Sequence, residues 1–190
     1  MNIKLDQNQI KMINIRSEKY PEKLRHIYAP PQVLYVLGNE KILNDKSISI
    51  IGCRECSQYG KKVAYDFAKG FAKRNIIVIS GLARGIDTYA HKGSVDVKGK
   101  TIAVLGCGLD VIYPPENKEL YQQIIKNGGA IISEYPLKSK PEKHHFPARN
   151  RIISGLSDGV LVVEARKKSG TLITVEHALD QGKDVYAVPR

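Results

Sequence analysis

Three short glycine-bearing turns carry residues suited to holding an anion: Gly52-Cys53-Arg54, the stretch from Ser80 and Gly81 through Arg84 and Gly85 to Asp87, and Gly106-Cys107-Gly108-Leu109-Asp110. Glycine admits positive φ and lets backbone N–H groups come close to an anion, while Arg54 and Arg84 add planar forks of donors that match phosphate oxygens. Taken singly, each turn reads first as the bend from a strand into a helix. Three of them on one rim describe an anion site. Neither Gly52 nor Gly106 opens a Gly-x-Gly-x-x-Gly pattern, and no Gly-x-x-x-x-Gly-Lys-Ser/Thr occurs. A nicotinamide dehydrogenase or an NTPase is therefore not the reading, and no cofactor is expected.

A second group of residues lies further along. Residues 138–151, KSKPEKHHFPARNR, hold five basic side chains against the single acid Glu142. Their prolines disfavour regular structure before Ala148, which places Lys143 and its neighbours on an exposed loop leading into a helix. Phe146 there has two readings: an anchor for the loop, or a face on which a nucleobase stacks, and the interleaved basic groups favour the second. Ser169-Gly170-Thr171 precedes a helix that Ser169 or Thr171 can cap, and the same helix start can receive a phosphate beside Lys167 and Lys168. Cys53-x-x-Cys56 is the one pattern pointing to redox or metal chemistry, but a closed zinc site needs more ligands and only Cys107 remains. His144 and His145 are adjacent, so their side chains should diverge, and they read as loop residues; no metal is expected. No Ser-His-Asp or Cys-His-acid set can be assembled from order and spacing, so no catalytic residue is named.

The elements that must position these residues follow from periodicity. Near-continuous apolar runs end at Ile51, Ser80, Leu105, Ser133, Glu164 and Val188, alternating with amphipathic stretches at 59–74, 85–95, 117–127, 148–155 and 171–181. Such runs suit strands buried on both faces, and the intervening helices supply the crossovers that parallel pairing requires. The expected fold is α/β: a doubly wound parallel sheet, extended Rossmann-like, in three α/β/α layers. In such sheets ligands bind beyond the carboxyl ends of the strands, where the glycine turns lie. Residues 1–46 read as an amino-terminal helical extension packed on the core, whose Val33–Leu37 run adds an edge strand, and 47–190 as the Rossmann-like domain. A last strand with nothing beyond it to cover the sheet reads as a piece of a longer protein, with a naturally short protein as the alternative.

Composition sets the outer bounds. The chain has 190 residues, 42% hydrophobic and 26% charged, which suits one main domain. No apolar run approaches a membrane span, and the amino terminus lacks a secretory signal, so a soluble cytoplasmic protein is expected. Three cysteines in that setting should be reduced thiols. A net charge of +11 makes a polyanion the first partner to consider, with solvated lysines as the plain alternative.

Several ordered blocks resemble one family. Gly52-Cys53-Arg54 with Tyr59-Gly60, SGLARGIDTYAH at 80–91, AVLGCGLDVIYPPEN at 103–117, Ser133-Glu134-Tyr135-Pro136, FPARNRIISGLSD at 146–158, Val163-Glu164-Ala165, SGTLIT at 169–174 and Ala187-Val188-Pro189 look like the signature of the DNA-processing protein A (DprA/Smf) family. The resemblance implies a non-catalytic module that binds single-stranded DNA and helps load RecA recombinase during natural transformation, with room for a homodimer. It implies that Arg54 holds a phosphate, that Lys143 lies along the strand and that Phe146 contacts a base. Arg149, Asn150, Arg151 and Ser169-Gly170 would surround the same pocket. Cysteine at 53 and 56 departs from the small or polar residues usual there. The alternative is a nucleotide phosphoribohydrolase-like enzyme using Arg149, Glu164 and Glu176, but its Pro-Gly-Gly-x-Gly-Thr pattern is replaced here by Lys-Ser-Gly-Thr.

Overall fold

The computed structural model describes residues 9–167 and 169–189, so residues 1–8, Lys168 and Arg190 lie outside the description. All six strands expected from Ser47 onward are present: β3 (Ser47–Gly52), β4 (Ile77–Ser80), β5 (Thr101–Leu105), β6 (Ala130–Ser133), β7 (Gly159–Glu164) and β8 (Asp184–Ala187). They pair in parallel in the order β6-β5-β4-β3-β7-β8. The helices between them are α2 (Gln58–Ala72), α3 (Ile86–Val95), α4 (Lys118–Lys126), α5 (His145–Leu156) and α6 (Gly170–Asp180).

Residues 10–44 depart from the helical extension expected of them. They supply two short helical turns, α1 (Glu22–Arg25) and a 3-10 turn at Glu40–Asn44, and two strands, β1 (Ile10–Asn14) and, at the apolar run where a strand was expected, β2 (Val33–Gly38), which pair antiparallel with each other and, through β2, with β6. Burial explains why. Val33–Leu37 is apolar toward both faces, so it joins the sheet with Leu34, Val36 and Leu37 buried, and β1 then covers the edge that β2 would leave unpaired. The finished sheet is mixed, with eight strands and a parallel centre.

Alternation along the strands divides the apolar side chains between two layers. Ile51, Ile79, Ile102, Val104, Ile132 and Val160 pack toward α5 and α6 in a cluster that also takes Tyr20, Leu24 and Ile27 from the amino-terminal stretch. Ile50, Val78, Leu161 and Val163 meet Ala64, Ala68, Ile86 and Ala90 of α2 and α3, while Ala103, Leu105 and Ile131 meet Leu120, Tyr121 and Ile124 of α4. Helices thus cover both faces of the parallel strands, giving the three layers expected. The order reverses at β3, with β4 to β6 on one side and β7 on the other, and the loops after β3 and β7 part there to leave a crevice.

One polar group lies deep beneath α3. The buried His91 donates from Nδ1 to the Thr101 hydroxyl at 2.8 Å, because that hydroxyl is itself committed to donating to the Val78 carbonyl at 2.6 Å. Its Nε2 has no hydrogen-bond partner of good geometry among the described residues, and burial, outweighing a backbone interaction with Ser80, pushes its pKa down to about 3. The folded ring stays neutral while the unfolded ring takes a proton near pH 6.5. Stability is therefore intact above that pH and falls as pH drops toward 3, by about 1.4 kcal/mol per unit from this group. Urea unfolding at pH 7 and pH 4.5 should show the wild type losing about 2–3 kcal/mol more than His91→Gln; equal losses would contradict the assignment.

Candidate functional site

The crevice is a cleft of about 710 Å³ at the carboxyl ends of β3 and β7. Gly52 and Arg54 after β3, Lys143, Phe146, Arg149 and Asn150 around the start of α5, and Ser169, Gly170 and Thr171 at the start of α6 all line it. Gly81 and Arg84, after β4, line a small recess alongside, which Arg54 and Phe146 share. Residues 117 positions apart in sequence are brought together because parallel strands deliver successive loops to one rim.

Gly85 and Gly81 show why the rim needs glycine. Gly85 has φ 75°, and a Cβ there would stand 2.4 Å from the carbonyl oxygens of Cys53 and Arg54. Only glycine lets the β4 loop press against the β3 loop and set the direction in which Arg54 leaves it. A Cβ at Gly81 would meet the Arg149 guanidinium at 2.5 Å, so the bare backbone makes room for that group.

The cations of the site divide into committed and available. Arg149 is only 4% exposed; its Nη1 donates to the carbonyls of Gly81, at 2.7 Å, and Val104, and its Nε to the Asn150 side chain at 3.2 Å. Arg151 grips Glu134 with two bonds of 2.7 and 2.6 Å and donates to the Ala29 carbonyl at 2.9 Å, fastening the amino-terminal turn to α5. Ser80 is fully buried with its hydroxyl on the Ile50 carbonyl at 2.7 Å, and Arg84 pairs with Glu116. For Arg149, Arg151 and Ser80 the structure shows side chains that shape the rim. Arg54 and Lys143 are exposed, and neither meets an acid among the described residues.

Phe146 sits in the first turn of α5, one turn earlier than the helix was expected. Pro147 does not prevent this, because N–H groups in a first turn have no partner within the helix. The ring is half-buried, 5.5 Å from the Tyr113 ring and with the Arg54 guanidinium 5.1 Å from its centroid. The ring anchors the loop against Tyr113 and lines the cleft with the Arg54 guanidinium lying over it. Tyr113 and Arg166 also line the cleft and were not among the expected residues. Arg166 is tied to Glu55 at 3.0 Å, a pairing across 111 residues that no local pattern announces.

At the start of α6 the Ser169 side chain does not cap the helix, and its buried Oγ has no partner among the described residues. A helix start with free N–H groups and an unpartnered hydroxyl is a ready acceptor of an anion's oxygens. Thr171 is buried, and Asn150 joins the two helices by donating to the Gly170 carbonyl at 3.1 Å.

The remaining chemistry is quieter. Cys53, Cys56 and Cys107 are free thiols, and burial raises the pKa of each, Cys107 to about 11, which opposes the thiolate that redox or metal chemistry needs. His144 and His145 do not diverge: their rings stand edge-on at 4.5 Å, because His145 is stacked on Tyr135 at 3.9 Å and bonded through Nδ1 to the Gly106 carbonyl. With Glu142 they place three donor atoms within 4.8 Å, the residues that could take a divalent ion. Lys140 and Lys143 lie beside that trio in the sequence, and the start of α5 at His145 adds the positive end of a helix, both of which oppose a cation. Glu164 accepts from the Ser57 N–H and hydroxyl at the start of α2, at 3.0 and 2.8 Å, while Glu176 is exposed on α6. Among the described residues no helix is long and apolar enough to cross a membrane.

Comparison with known proteins agrees with this architecture. A family model described as DNA recombination-mediator protein A matches residues 11–190. The chain is 45% identical over 181 residues to the DNA processing protein DprA of Bacillus subtilis, covering 95% of this chain and 61% of that one. A crystal structure of DprA from Streptococcus pneumoniae superposes with a TM-score of 0.89 at 43% identity, over 96% of this chain and 64% of that one. A structure of DNA processing protein A from Helicobacter pylori, which describes its single-stranded DNA binding mode, superposes with a TM-score of 0.87 at 33% identity, over 96% and 81%. The chain spans about three fifths of the length of the Bacillus relative.

The Arg149 clamp can be tested without any ligand. Asp87 is buried beside it, accepting from the Gly81 N–H at 3.1 Å; burial raises its pKa, while Arg149 and the backbone donors hold it down. Arg149→Met should destabilise the fold by about 3–5 kcal/mol, because a carboxylate is left buried without its cation. Asp87→Asn added to Arg149→Met should recover part of the loss in urea unfolding. A loss below about 1 kcal/mol, typical of exposed pairs, would show that the clamp does not hold the rim.

Proposed function

The chain belongs to the DNA recombination-mediator protein A family, and on that premise we propose that its cleft holds single-stranded DNA by the phosphates without chemically altering it. The observation that carries this reading is the pair of exposed cations, Arg54 and Lys143, which pair with no acid among the described residues and line one cleft with Phe146 and with an α6 start whose Ser169 hydroxyl has no partner among the described residues. Phosphate oxygens satisfy the cations and the helix start, and a base unstacked from its neighbours has the Phe146 ring to lie on once Arg54 swings aside. A duplex hides its base faces, so this combination favours a single strand. The Helicobacter pylori relative, described as binding single-stranded DNA, supports the same partner.

Gly52, Gly81 and Gly85 let the backbone approach the strand, and Ser80, Arg149, Asn150, Arg151 and Thr171 serve by holding the rim in shape. Arg84 joins the contact by exchanging Glu116 for a phosphate. On family grounds we extend the proposal to RecA recombinase as the protein that takes over the strand during natural transformation, to a homodimer, and to a cytoplasmic setting. A domain boundary near residue 46, with 10–44 as a brace for the domain that holds DNA, belongs to the same proposal.

Titration of fluorescent oligo-dT at several salt concentrations tests the reading. The logarithm of affinity should fall linearly with that of salt, by about 0.7 per neutralised phosphate. Arg54→Ala and Lys143→Ala should each weaken binding to any sequence and flatten that slope by about 0.7. Phe146→Ala should cost about 1–3 kcal/mol while leaving the slope unchanged. Wild-type affinity in all three variants would overturn the site.

A further inference from the structure

A second basic and aromatic surface lies outside the cleft. Residues 58–100 hold seven lysines and two arginines against three aspartates, a net +6 of the chain's +11. Along α2, Lys61, Tyr65, Lys69 and Lys73 recur every fourth residue and so form one ridge, about 18 Å long. On α3, Tyr89, Lys92 and Asp96 follow at helical spacing.

The two rows are interlocked. The Lys61 and Lys92 ammonium groups, from different helices, both lie over the Tyr89 ring, at 5.7 and 5.4 Å from its centroid. Lys69 lies over Tyr65 at 5.7 Å, and the Tyr65 hydroxyl donates to Asp96 at 2.8 Å. The helices can approach this closely because Gly93 of α3 faces the Tyr65 carbonyl, where a Cβ would stand at 2.2 Å. Lysines that only solvate a surface extend into water; these are held against aromatic rings from both sides of one seam. Asp66, the acid nearest on the ridge, is already paired with Lys62 at 2.5 Å. The seam also begins at the cleft: Asp87, in the first turn of α3, lines it, as do Cys53, Arg54 and Glu55, which lead into α2.

We propose that the seam between α2 and α3 is a second contact for the same DNA strand, with Lys61, Lys69 and Lys92 on its phosphates and Tyr65 and Tyr89 beside its sugars and bases, so that a strand leaving the cleft continues along it. The inference rests on the cleft reading above but makes a separate demand. A strand long enough to reach the seam must bind more tightly than one that only fills the cleft.

The test uses oligo-dT of about 5 and about 16 nucleotides, lengths that bracket the reach of one small binding module. At physiological salt, where screening acts within about 8 Å, charge changes on the seam should leave contacts in the cleft alone. The wild type should bind the longer strand at least tenfold more tightly. The combined variant Lys61→Glu, Lys69→Glu, Lys92→Glu should bring the longer strand to the affinity of the shorter and leave the shorter within twofold. The corresponding Lys→Arg variant, which keeps charge and ring contact, should retain the gain; thermal unfolding of both variants confirms that each is folded, and Lys→Gln at the same positions replaces the Glu variant if it is not. An unchanged length dependence in a folded neutral or acidic variant overturns the proposal. If the wild type binds only the longer strand and the variant loses it, the seam stands and the cleft reading falls. If neither strand binds the wild type, both fall. Binding of the wild type to vesicles of anionic lipid with no length effect for DNA would also overturn it.

Discussion

The Arg149 guanidinium lies beneath the floor of the cleft, where a charge is tolerated only if its donors are satisfied. Carbonyls at the ends of two neighbouring strands, from Gly81 and Val104, accept from it, with Asp87 buried nearby as its counterion. The same residue belongs to α5, so this one side chain fixes the carboxyl ends of β4 and β5 relative to the helix whose first turn carries Phe146. Everything that faces the cleft is placed against that frame. The glycines at 81 and 85 are what allow backbone and guanidinium to come so close.

A division of labour among the cations follows from burial. Arg149 and Arg151 are held by carbonyls and by Glu134, and removing either would expose unsatisfied groups inside the fold. Arg54 and Lys143 stand in solvent, where they cost little to maintain and can exchange water for an anion. The α6 start, whose Ser169 hydroxyl has no partner among the described residues, lines the same cleft. On the proposed reading, a polyanion would meet fixed dipoles at the α6 start and exposed side-chain charges at Arg54 and Lys143, an arrangement that needs no base to be read.

Much of this was legible in the sequence, for reasons that are local. The strands β3 to β8 announce themselves as apolar runs, and the glycine turns follow them directly, so the rim and its position at the strand ends could be named in advance. What was not legible depends on partners far along the chain. Arg149 and Arg151 look alike in a basic segment, yet one is buried on carbonyls from β4 and β5 and the other is held by Glu134 and Ala29. The apolar run Val33–Leu37 marks β2 in the sequence, but that β6 offers the edge it joins, and that β1 pairs outside it, is recorded by no pattern within 10–44. The lysine and tyrosine rows of α2 and α3 are visible singly but become one seam only when Gly93 brings the helices together.

The central claim is that the cleft between β3 and β7 receives the phosphates of a single strand. A crystal structure of the chain with a short oligo-dT addresses it directly. The account predicts a phosphate within hydrogen-bonding distance of the Arg54 guanidinium, another at the Ser169-Gly170 turn, and a thymine stacked on Phe146. A strand bound elsewhere, with Arg54 still over the Phe146 ring and the Ser169 hydroxyl still unpartnered, would contradict it.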